Sequence, residues 1–255
     1  MMISKYKIRI FFISAITLFL FSNVHAEEFE ATLNWSKRVE LSTPVNGVVS
    51  KVFSQVGAVV AKGEVLVQLD PRGFKADVIY AKAQLKHSDD ARQEARRELE
   101  RQEDMYERAM LSDHDLQVAK NNYSAAQSQF KQANSSLIKA KLNLEYSSVR
   151  APFNAIVVKT NAVKGQVVAT NMAPPVLVVV AEANRMLARF FVADSKLASL
   201  SLNQMVGISV AGKAYKGKIH RIGLEQEKSN NYAVDIIFDS KDSLLRAGQK
   251  AKVNL

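Results

Sequence analysis

The side chains that most often perform catalysis or bind metals are few in this sequence and do not converge. The 255-residue chain has no cysteine and four histidines, which are His25, His87, His114 and His220. No two histidines stand at the short spacing of paired metal ligands. His114 lies between two aspartates, but acids at a helix start are favoured by the helix dipole, so a solvated helix start is the preferred interpretation. The sequence therefore predicts no metal site, no cofactor and no enzyme activity.

The first 26 residues have the organisation of a secretory signal peptide. Lys5, Lys7 and Arg9 precede an apolar run over residues 10–21, and Val-His-Ala ends the segment at Ala26. The run of about 12 residues is shorter than the roughly 20 that span a bilayer. We expect cleavage after Ala26, with an uncleaved inner-membrane anchor as the alternative.

Cleavage would lower the formal net charge from +10 to +7, because three cations and no acids are lost. An exported chain does not normally meet nucleic acid, so this basic balance does not predict a nucleic-acid partner. The lack of cysteine means that packing, not disulfides, must stabilise the exported protein.

One short stretch of the sequence occurs twice at a constant shift of 108 residues. Seven of 17 positions are identical between residues 44–60 and 152–168. Each copy has the pattern of short β-branched strands that turn at glycines, and the glycines assigned to turns are Gly47, Gly57, Gly63 and Gly165. A half of about 25 residues cannot bury its apolar face alone. The halves, residues 41–70 and 150–172, are therefore predicted to pack as one β-sandwich.

The segment between the copies, residues 72–148, is predicted to form an antiparallel helical hairpin. In its second half apolar residues occupy every a and d position of four heptads, namely Leu116, Ala119, Tyr123, Ala126, Phe130, Ala133, Leu137, Ala140 and Leu144. The first half repeats the spacing more weakly from Val78 to Tyr106. A turn at residues 109–112, with Ser112 as N-cap, gives arms of about 35 residues and about 50 Å. Two unrelated domains joined by a surface helix would not explain the shared register of the copies.

The remaining sequence is predicted to form a small β-barrel domain. Strand-like runs separated by turn residues follow Pro174-Pro175 and continue to Leu255. The barrel is assigned residues 174–255, and residues 27–40 are expected to lend it another strand.

In this order the elements resemble the periplasmic adaptor, or membrane fusion protein, family, which includes HlyD-type and RND efflux adaptors. The stretches GKIHRIG (217–223) and LLRAGQKAKV (244–253) are similar to the family's G-x-V-x-x-I and L-R-P-G-x-x-V elements, with Ala247 where proline is usual. The resemblance implies an α+β fold: a lipoyl-like β-sandwich split by a long antiparallel coiled-coil hairpin, plus the small barrel. Because the sequence stops directly after the barrel element, no membrane-proximal domain is expected.

The resemblance also implies a function. The protein would be a periplasmic adaptor that links an inner-membrane transporter, of RND or ABC type, to a TolC-like outer-membrane channel. Such adaptors assemble as homo-oligomers, commonly hexamers. The alternative from another class is a structural coiled-coil or secretion-scaffold protein that acts without a pump.

A docking motif at the hairpin tip follows from the same resemblance. Many adaptors carry Arg, then Leu four residues on, then Ser seven beyond, and here Arg101, Met105 and Ser112 stand at that spacing. Arg108 and Met110 complete the expected channel-docking site. Arginine would donate charge-assisted hydrogen bonds and methionine would fill an irregular apolar notch. The alternative is a solvated helix face with a cap.

Overall fold

The computed structural model describes residues 28–170, 173–227, 230–240 and 245–255. Within these residues the chain divides into two compact units, one formed by residues 37–183 and the other by residues 28–36 with the part of the chain after 183. The expected signal peptide, with its cleavage site after Ala26, lies outside the described residues. Within the described ranges, no helix combines the length and the apolar character that a membrane crossing requires.

The described elements follow one another from the N-terminal to the C-terminal side. They are β1 (Glu28–Trp35), β2 (Arg38–Leu41), β3 (Gly47–Val52), β4 (Val59–Val60), β5 (Val65–Leu69), α1 (Arg72–Glu107), α2 (Asp113–Tyr146), β6 (Ser148–Arg150), β7 (Ala155–Thr160), β8 (Val167–Val168), β9 (Val178–Glu182), β10 (Arg185–Val192), α3 (Asp194–Leu197), β11 (Met205–Val210), β12 (Lys213–Gln226), β13 (Tyr232–Asp239) and β14 (Lys250–Asn254).

Two four-stranded sheets form the β part of the first unit, in the orders β2-β9-β7-β4 and β6-β5-β3-β8. Both sheets contribute to one apolar core, with Val49, Leu66 and Leu69 from the second sheet and Val157 and Val180 from the first. Each such side chain contributes about 1.5–3 kcal/mol when it is fully buried. The two sheets therefore form a sandwich, which neither could stabilise alone.

The two copies of the repeat interlock within this sandwich. The long strand of each copy pairs with the short strand of the other, β3 with β8 and β7 with β4. The Oδ1 of Asn46 accepts the backbone N–H of Thr170 at 2.7 Å, and the Oδ1 of Asn154 accepts that of Lys62 at 2.9 Å. These two bonds are related by the same 108-residue shift as the repeat. Each half thus completes its hydrogen bonding only with the other, which is the physical reason for the duplication.

The glycines assigned to turns have different roles. Gly57, Gly63 and Gly165 have φ angles of +86°, +85° and +88°, which other residues rarely adopt. Gly47 does not lie in a turn, and its assignment is corrected: it belongs to β3 and pairs with Val168. A Cβ there would lie 3.1 Å from Cδ1 of Leu69, so close packing against that side chain explains the glycine.

Two segments assigned to the barrel belong to the sandwich, which corrects the predicted boundaries. Strand β2 pairs with β9, and β9 lies between β2 and β7 as an inner strand. Residues Val178 to Ala181 are at most 2% exposed. A strand buried on both faces is a continuous apolar run, which looks the same in either domain. The change of composition after Pro175 therefore marks a loop and not a domain border.

The long helices extend from neighbouring strands of one sheet. Helix α1 follows β5, α2 precedes β6, and these two strands pair side by side. The hydroxyl of Thr43 donates to the carbonyl oxygen of Tyr146 at 2.7 Å, which attaches the end of α2 to the sandwich. At about 1.5 Å per residue, the 36 residues of α1 extend about 54 Å.

The second unit is a closed barrel with the strand order β1-β10-β13-β12-β11-β14. Its core includes Leu33, Phe190 and Ile236, all fully buried. Gly217 of β12 faces this core, and a Cβ there would lie 2.5 Å from Cγ2 of Ile236. Two core isoleucines occupy the space that a side chain would need, Ile236 and Ile208. The glycine that opens the GKIHRIG element is thus required by packing.

An ion-pair cluster joins three barrel strands. Asp235 of β13 has a side chain only 4% exposed, and it accepts hydrogen bonds from Nε of Arg189 at 2.7 Å and Nε of Arg221 at 2.9 Å. Burial raises the pKa of the Asp235 carboxyl, but the bonds from the two arginines outweigh it, so the pKa lies below its ordinary value. The carboxylate therefore holds β10, β13 and β12 together in its charged form.

Candidate docking site at the hairpin tip

The basal segment of the hairpin, residues 72–85 and 133–146, has a well-packed seam. Ala81 packs with Leu137 and Ala140, and Val78 and Leu85 lie against this cluster. All nine heptad positions predicted for α2 are buried or half-buried. The small alanines let the helices approach closely, as coiled-coil packing requires.

Farther from the sandwich, two polar side chains, Arg92 and Gln102, interrupt an otherwise apolar seam in which Ala119 is buried. The guanidinium of Arg92 lies over the ring of Phe130, 4.3 Å from its centroid. Among the described residues, neither the buried Nε of Arg92 nor the buried Oε1 of Gln102 has a hydrogen-bond partner. A buried unsatisfied polar atom costs about 1–3 kcal/mol. These two atoms therefore cost the hairpin some stability.

The two arginines of the predicted site each pair with an acidic side chain of α1. Arg101 forms an ion pair with Glu98, and Arg108 forms one with Asp104 at 2.8 Å. Their side chains remain 66% and 67% exposed. Both guanidinium groups are thus accessible to a partner, but each must share or release a carboxylate before it binds another acceptor.

Ser112 is the N-cap of α2. Its Oγ accepts the backbone N–H of Asp115 at 3.2 Å, and its hydroxyl donates to the Asp115 carboxylate at 2.6 Å. Asp113 and Asp115 stand in the first turn, where the helix dipole favours negative charge. The hydroxyl proton is therefore already engaged in capping, which leaves Ser112 mainly an acceptor for a partner.

The two methionines of the site have different environments. Met105 is half-buried at the last turn of α1, whereas Met110 is 68% exposed in the loop between the helices. The backbone N–H of Met110 donates to the carbonyl oxygen of Met105 at 2.9 Å, and Ala109 between them has a φ of +58°. The loop thus presents Met110 outward at the far end of the hairpin.

A contact that the sequence did not indicate connects the two helices at the tip. The hydroxyl of Tyr106 donates to Oδ1 of Asp113 at 2.6 Å, across the loop. The hydrogen bond to the carboxylate, together with its charge, raises the pKa of Tyr106. The heptad pattern had placed Tyr106 in the seam, but its side chain is 40% exposed, and Met105 is the half-buried residue of that turn.

The side chains at the tip suit the recognition of a partner. They offer exposed cations, one exposed thioether and carboxylates, and no group of three or more metal-binding side chains is found among the described residues. Such a surface can donate charge-assisted hydrogen bonds and fill an apolar notch in a partner.

A β-sandwich made of two interlocked halves, with a helical hairpin inserted between the halves in the chain, defines a class of protein, the barrel-sandwich hybrid. The family model described as "CzcB-like, barrel-sandwich hybrid domain" matches residues 37–182, more than half of the chain. The chain belongs to this family and is therefore a member of the periplasmic adaptor, or membrane fusion protein, group that the sequence resembled. Membership in an adaptor family also supports the expectation that the protein is not an enzyme.

Two curated relatives and one solved structure are similar to the chain. Macrolide export protein MacA of Yersinia pestis is 25% identical over 239 residues, which cover 86% of this chain and 64% of the relative. Efflux pump periplasmic linker BepD of Brucella suis is 25% identical over 174 residues, 68% of this chain and 44% of the relative. The chain thus spans less than two thirds of the length of either relative.

The solved structure is that of a MacA-MexA chimera that contains the Pseudomonas aeruginosa MexA α-hairpin domain. It superposes with a TM-score of 0.69 at 21% identity and covers 89% of this chain and 79% of the chimera. This similarity confirms a β-rich membrane-fusion-protein fold.

Proposed function

We propose that the protein is the periplasmic adaptor of a tripartite efflux or secretion system. It links an inner-membrane transporter to a TolC-like outer-membrane channel through its helical hairpin. The observation that carries the proposal is a hairpin about 50 Å long that projects from the sandwich of a chain belonging to an adaptor family. A stiff arm of this length suits a protein that must reach from one partner to another.

The names of the relatives support this function. MacA is described as a macrolide export protein and BepD as an efflux pump periplasmic linker. The proposal extends to a transporter of RND or ABC type, to assembly as a hexamer, and to a periplasmic location after cleavage behind Ala26.

The proposed channel contact is the tip, formed by Arg101, Met105, Arg108, Met110 and Ser112. Exposure supports the roles of Arg101, which lies six residues before the end of α1, and of Arg108 and Met110, which follow that end. Met105 and Ser112 would hold the tip in position. Met105 is half-buried in the seam between the helices, and Ser112 caps the start of α2.

Co-purification from the producing cells tests the proposal. The full chain with a C-terminal tag is captured after mild chemical crosslinking, and the captured proteins are identified by mass spectrometry. An adaptor brings down one inner-membrane transporter and one outer-membrane channel. A scaffold that acts without a pump brings down neither, and this outcome would refute the proposal. N-terminal sequencing of the captured chain tests cleavage after Ala26.

A further inference from the structure

One side of the barrel carries lysines and no acids. Strands β14, β11 and β12 lie side by side there, and alternate residues of each strand are buried in the core, so the residues between them point outward. In β14, in β11 and in the part of β12 that pairs with β11, the outward positions are Lys250, Lys252, Asn254, Met205, Gly207, Ser209, Ala214, Lys216 and Lys218. We call this surface the basic face.

Three of the four lysines have no acidic partner within the part of the chain that the structure describes. Lys252 forms an ion pair with Glu28 of the neighbouring strand β1, at 3.0 Å. Lys216, Lys218 and Lys250 form none, and all three are exposed. Lys216 and Lys218 are two residues apart on one strand, which separates their Cα atoms by about 7 Å. Their like charges repel each other, so an external anion that lies between them would be bound favourably.

Small residues leave the middle of the basic face open. Gly207 has no side chain, and a Cβ there would have one neighbour within 4 Å, the Cβ of Asn254 at 3.8 Å. A cleft of about 360 Å³ lies beside it, lined by Ser209 and Lys250 and also by Glu30 of β1. The middle of the face is therefore lower than the lysines at its borders, and a phosphate group can approach them without a steric obstacle.

Two exposed apolar side chains adjoin the lysines. Met205 is the direct cross-strand partner of Lys218 and is 56% exposed. Leu202, in the turn before β11, is 60% exposed, and the N–H of Asn203 in that turn donates to the carbonyl oxygen of Ile219 at 2.8 Å. The turn is thus fixed beside β12. Exposed apolar side chains next to cations are typical of proteins that bind a membrane surface, because the apolar groups enter the boundary between headgroups and acyl chains.

The type of cation favours a membrane over a protein partner. Protein interfaces are enriched in arginine and depleted in lysine, whereas all four cations of the basic face are lysines. The lysine ammonium is a compact charge that requires no fixed partner geometry, which suits the mobile phosphates of lipid headgroups. The closed barrel also leaves no unpaired strand edge at this surface for a peptide strand to join.

We propose that the basic face binds the anionic surface of a lipid bilayer. Lys216, Lys218 and Lys250 contact the phosphates of the headgroups, and Met205 enters the layer beneath them. The barrel thereby has a membrane contact of its own, in addition to any contact with a transporter. The inference goes beyond the proposed adaptor function and does not depend on it.

Sedimentation of the purified full chain with lipid vesicles tests the proposal. The protein should bind vesicles of phosphatidylglycerol and phosphatidylcholine in equal parts much more tightly than vesicles of phosphatidylcholine alone, and added salt should weaken this binding. Lys216→Gln/Lys218→Gln should bind the anionic vesicles about 25-fold more weakly, or about fivefold for each lysine. Residues 1–26 are the same in every variant, so they cannot cause a difference between variants.

A matched control removes two lysines from the sandwich. Lys51 of β3 and Lys159 of β7 are exposed strand residues at equivalent positions of the repeat, so Lys51→Gln/Lys159→Gln changes the net charge by the same amount. This variant should bind anionic vesicles within about twofold of the unchanged protein. An equal loss in both double variants would show that net charge governs binding and would overturn the proposal, as would equal binding to the anionic and the neutral vesicles.

A fluorescent label tests whether Met205 enters the bilayer, because the protein has no cysteine of its own. A polarity-sensitive dye on Met205→Cys should shift its emission to the blue when anionic vesicles are added. The control is Leu187→Cys, an outward position of β10, which lies three strands from β11 in either direction around the barrel. Vesicle binding without a shift at residue 205, or with an equal shift at residue 187, would overturn the proposal; in the first case the face would suit an acidic protein instead.

These measurements use neither transporter nor channel, so they separate this inference from the proposed function. Vesicle binding without co-purified partners would keep the membrane contact and refute the adaptor role. Co-purified partners without vesicle binding would do the reverse.

Discussion

Charge reversal at Arg101, compared with the same change at Arg96, separates an effect on channel binding from an effect on helix stability. Both arginines lie on α1, both pair with a glutamate of the same helix, and their side chains are 66% and 67% exposed. Arg101 belongs to the proposed docking site, whereas Arg96 is five residues farther from the tip. The variants Arg101→Glu and Arg96→Glu should therefore disturb the helix equally and the docking unequally.

The size of the difference follows from the contacts. An exposed ion pair three or four residues apart contributes about 0.2–0.5 kcal/mol to a helix, and a like-charge pair costs a similar amount. Each variant should thus lose less than about 1 kcal/mol of hairpin stability. A charge-assisted hydrogen bond to the channel contributes about 1.5–3 kcal/mol, from which the release of Glu98 subtracts about 0.5. The net loss of about 1–2.5 kcal/mol corresponds to docking about 5- to 70-fold weaker.

The assay is the equilibrium affinity of each purified variant for the co-purified channel at fixed ionic strength. Arg101→Glu should bind about 5- to 70-fold more weakly than the unchanged protein, and Arg96→Glu should bind within about twofold of it. Affinity unchanged from that of the unmodified protein in both variants would remove Arg101 from the site. An equal loss in both would show that net charge, and not a local contact, governs binding.

Three further predictions concern stability. Gly217→Val should lower the free energy of urea unfolding of the barrel by at least about 2 kcal/mol because the side chain would collide with Ile236, whereas Gly207→Ala should be neutral, since its nearest neighbour is 3.8 Å away. Asp235→Ala should lower the free energy of unfolding by about 3 kcal/mol at pH 7. Because folding lowers the pKa of Asp235, this loss should be complete above about pH 4 and should disappear as the pH falls further. Ser112→Ala should lower the free energy of unfolding by about 1 kcal/mol through loss of the N-cap, and Ser112→Asn, whose amide can still accept from the Asp115 N–H and donate to its carboxylate, should retain most of the stability, as measured by thermal unfolding. An Asp235→Ala penalty that grew below pH 4, or an equal loss in both Ser112 variants, would contradict these contacts.

Much of the hairpin could be predicted from the sequence because its signals are local. The heptads of α2 specify which side chains face the partner helix, and Ser112 specifies where the helix begins. The register between the helices is not local, so neither the Tyr106–Asp113 bond nor the exposure of Tyr106 followed from the pattern. In the sequence, Arg92 was recognisable only as a polar residue at a heptad position of α1.

The sandwich was predictable as a duplication but not in its boundaries. The 108-residue shift implied that the halves belong together, and the Asn46 and Asn154 bonds supply the physical reason. The valine run of β9 fits a strand of either domain. Because β9 is buried on both faces, its sequence lacks the alternation of polar and apolar residues that would have shown which sheet it joins. Gly47 was misassigned because a glycine in a strand and a glycine in a turn look alike in sequence.

A site-specific photocrosslinker at Met110 in living cells shows whether the hairpin tip contacts an outer-membrane channel. Met110 is 68% exposed at the far end of the hairpin, and Ser128 on the outer face of α2 serves as the control position. The probe at residue 110 should capture a channel protein, identified by mass spectrometry, and the probe at residue 128 should not. Capture of the channel at neither position, or in equal yield at both, would contradict this contact.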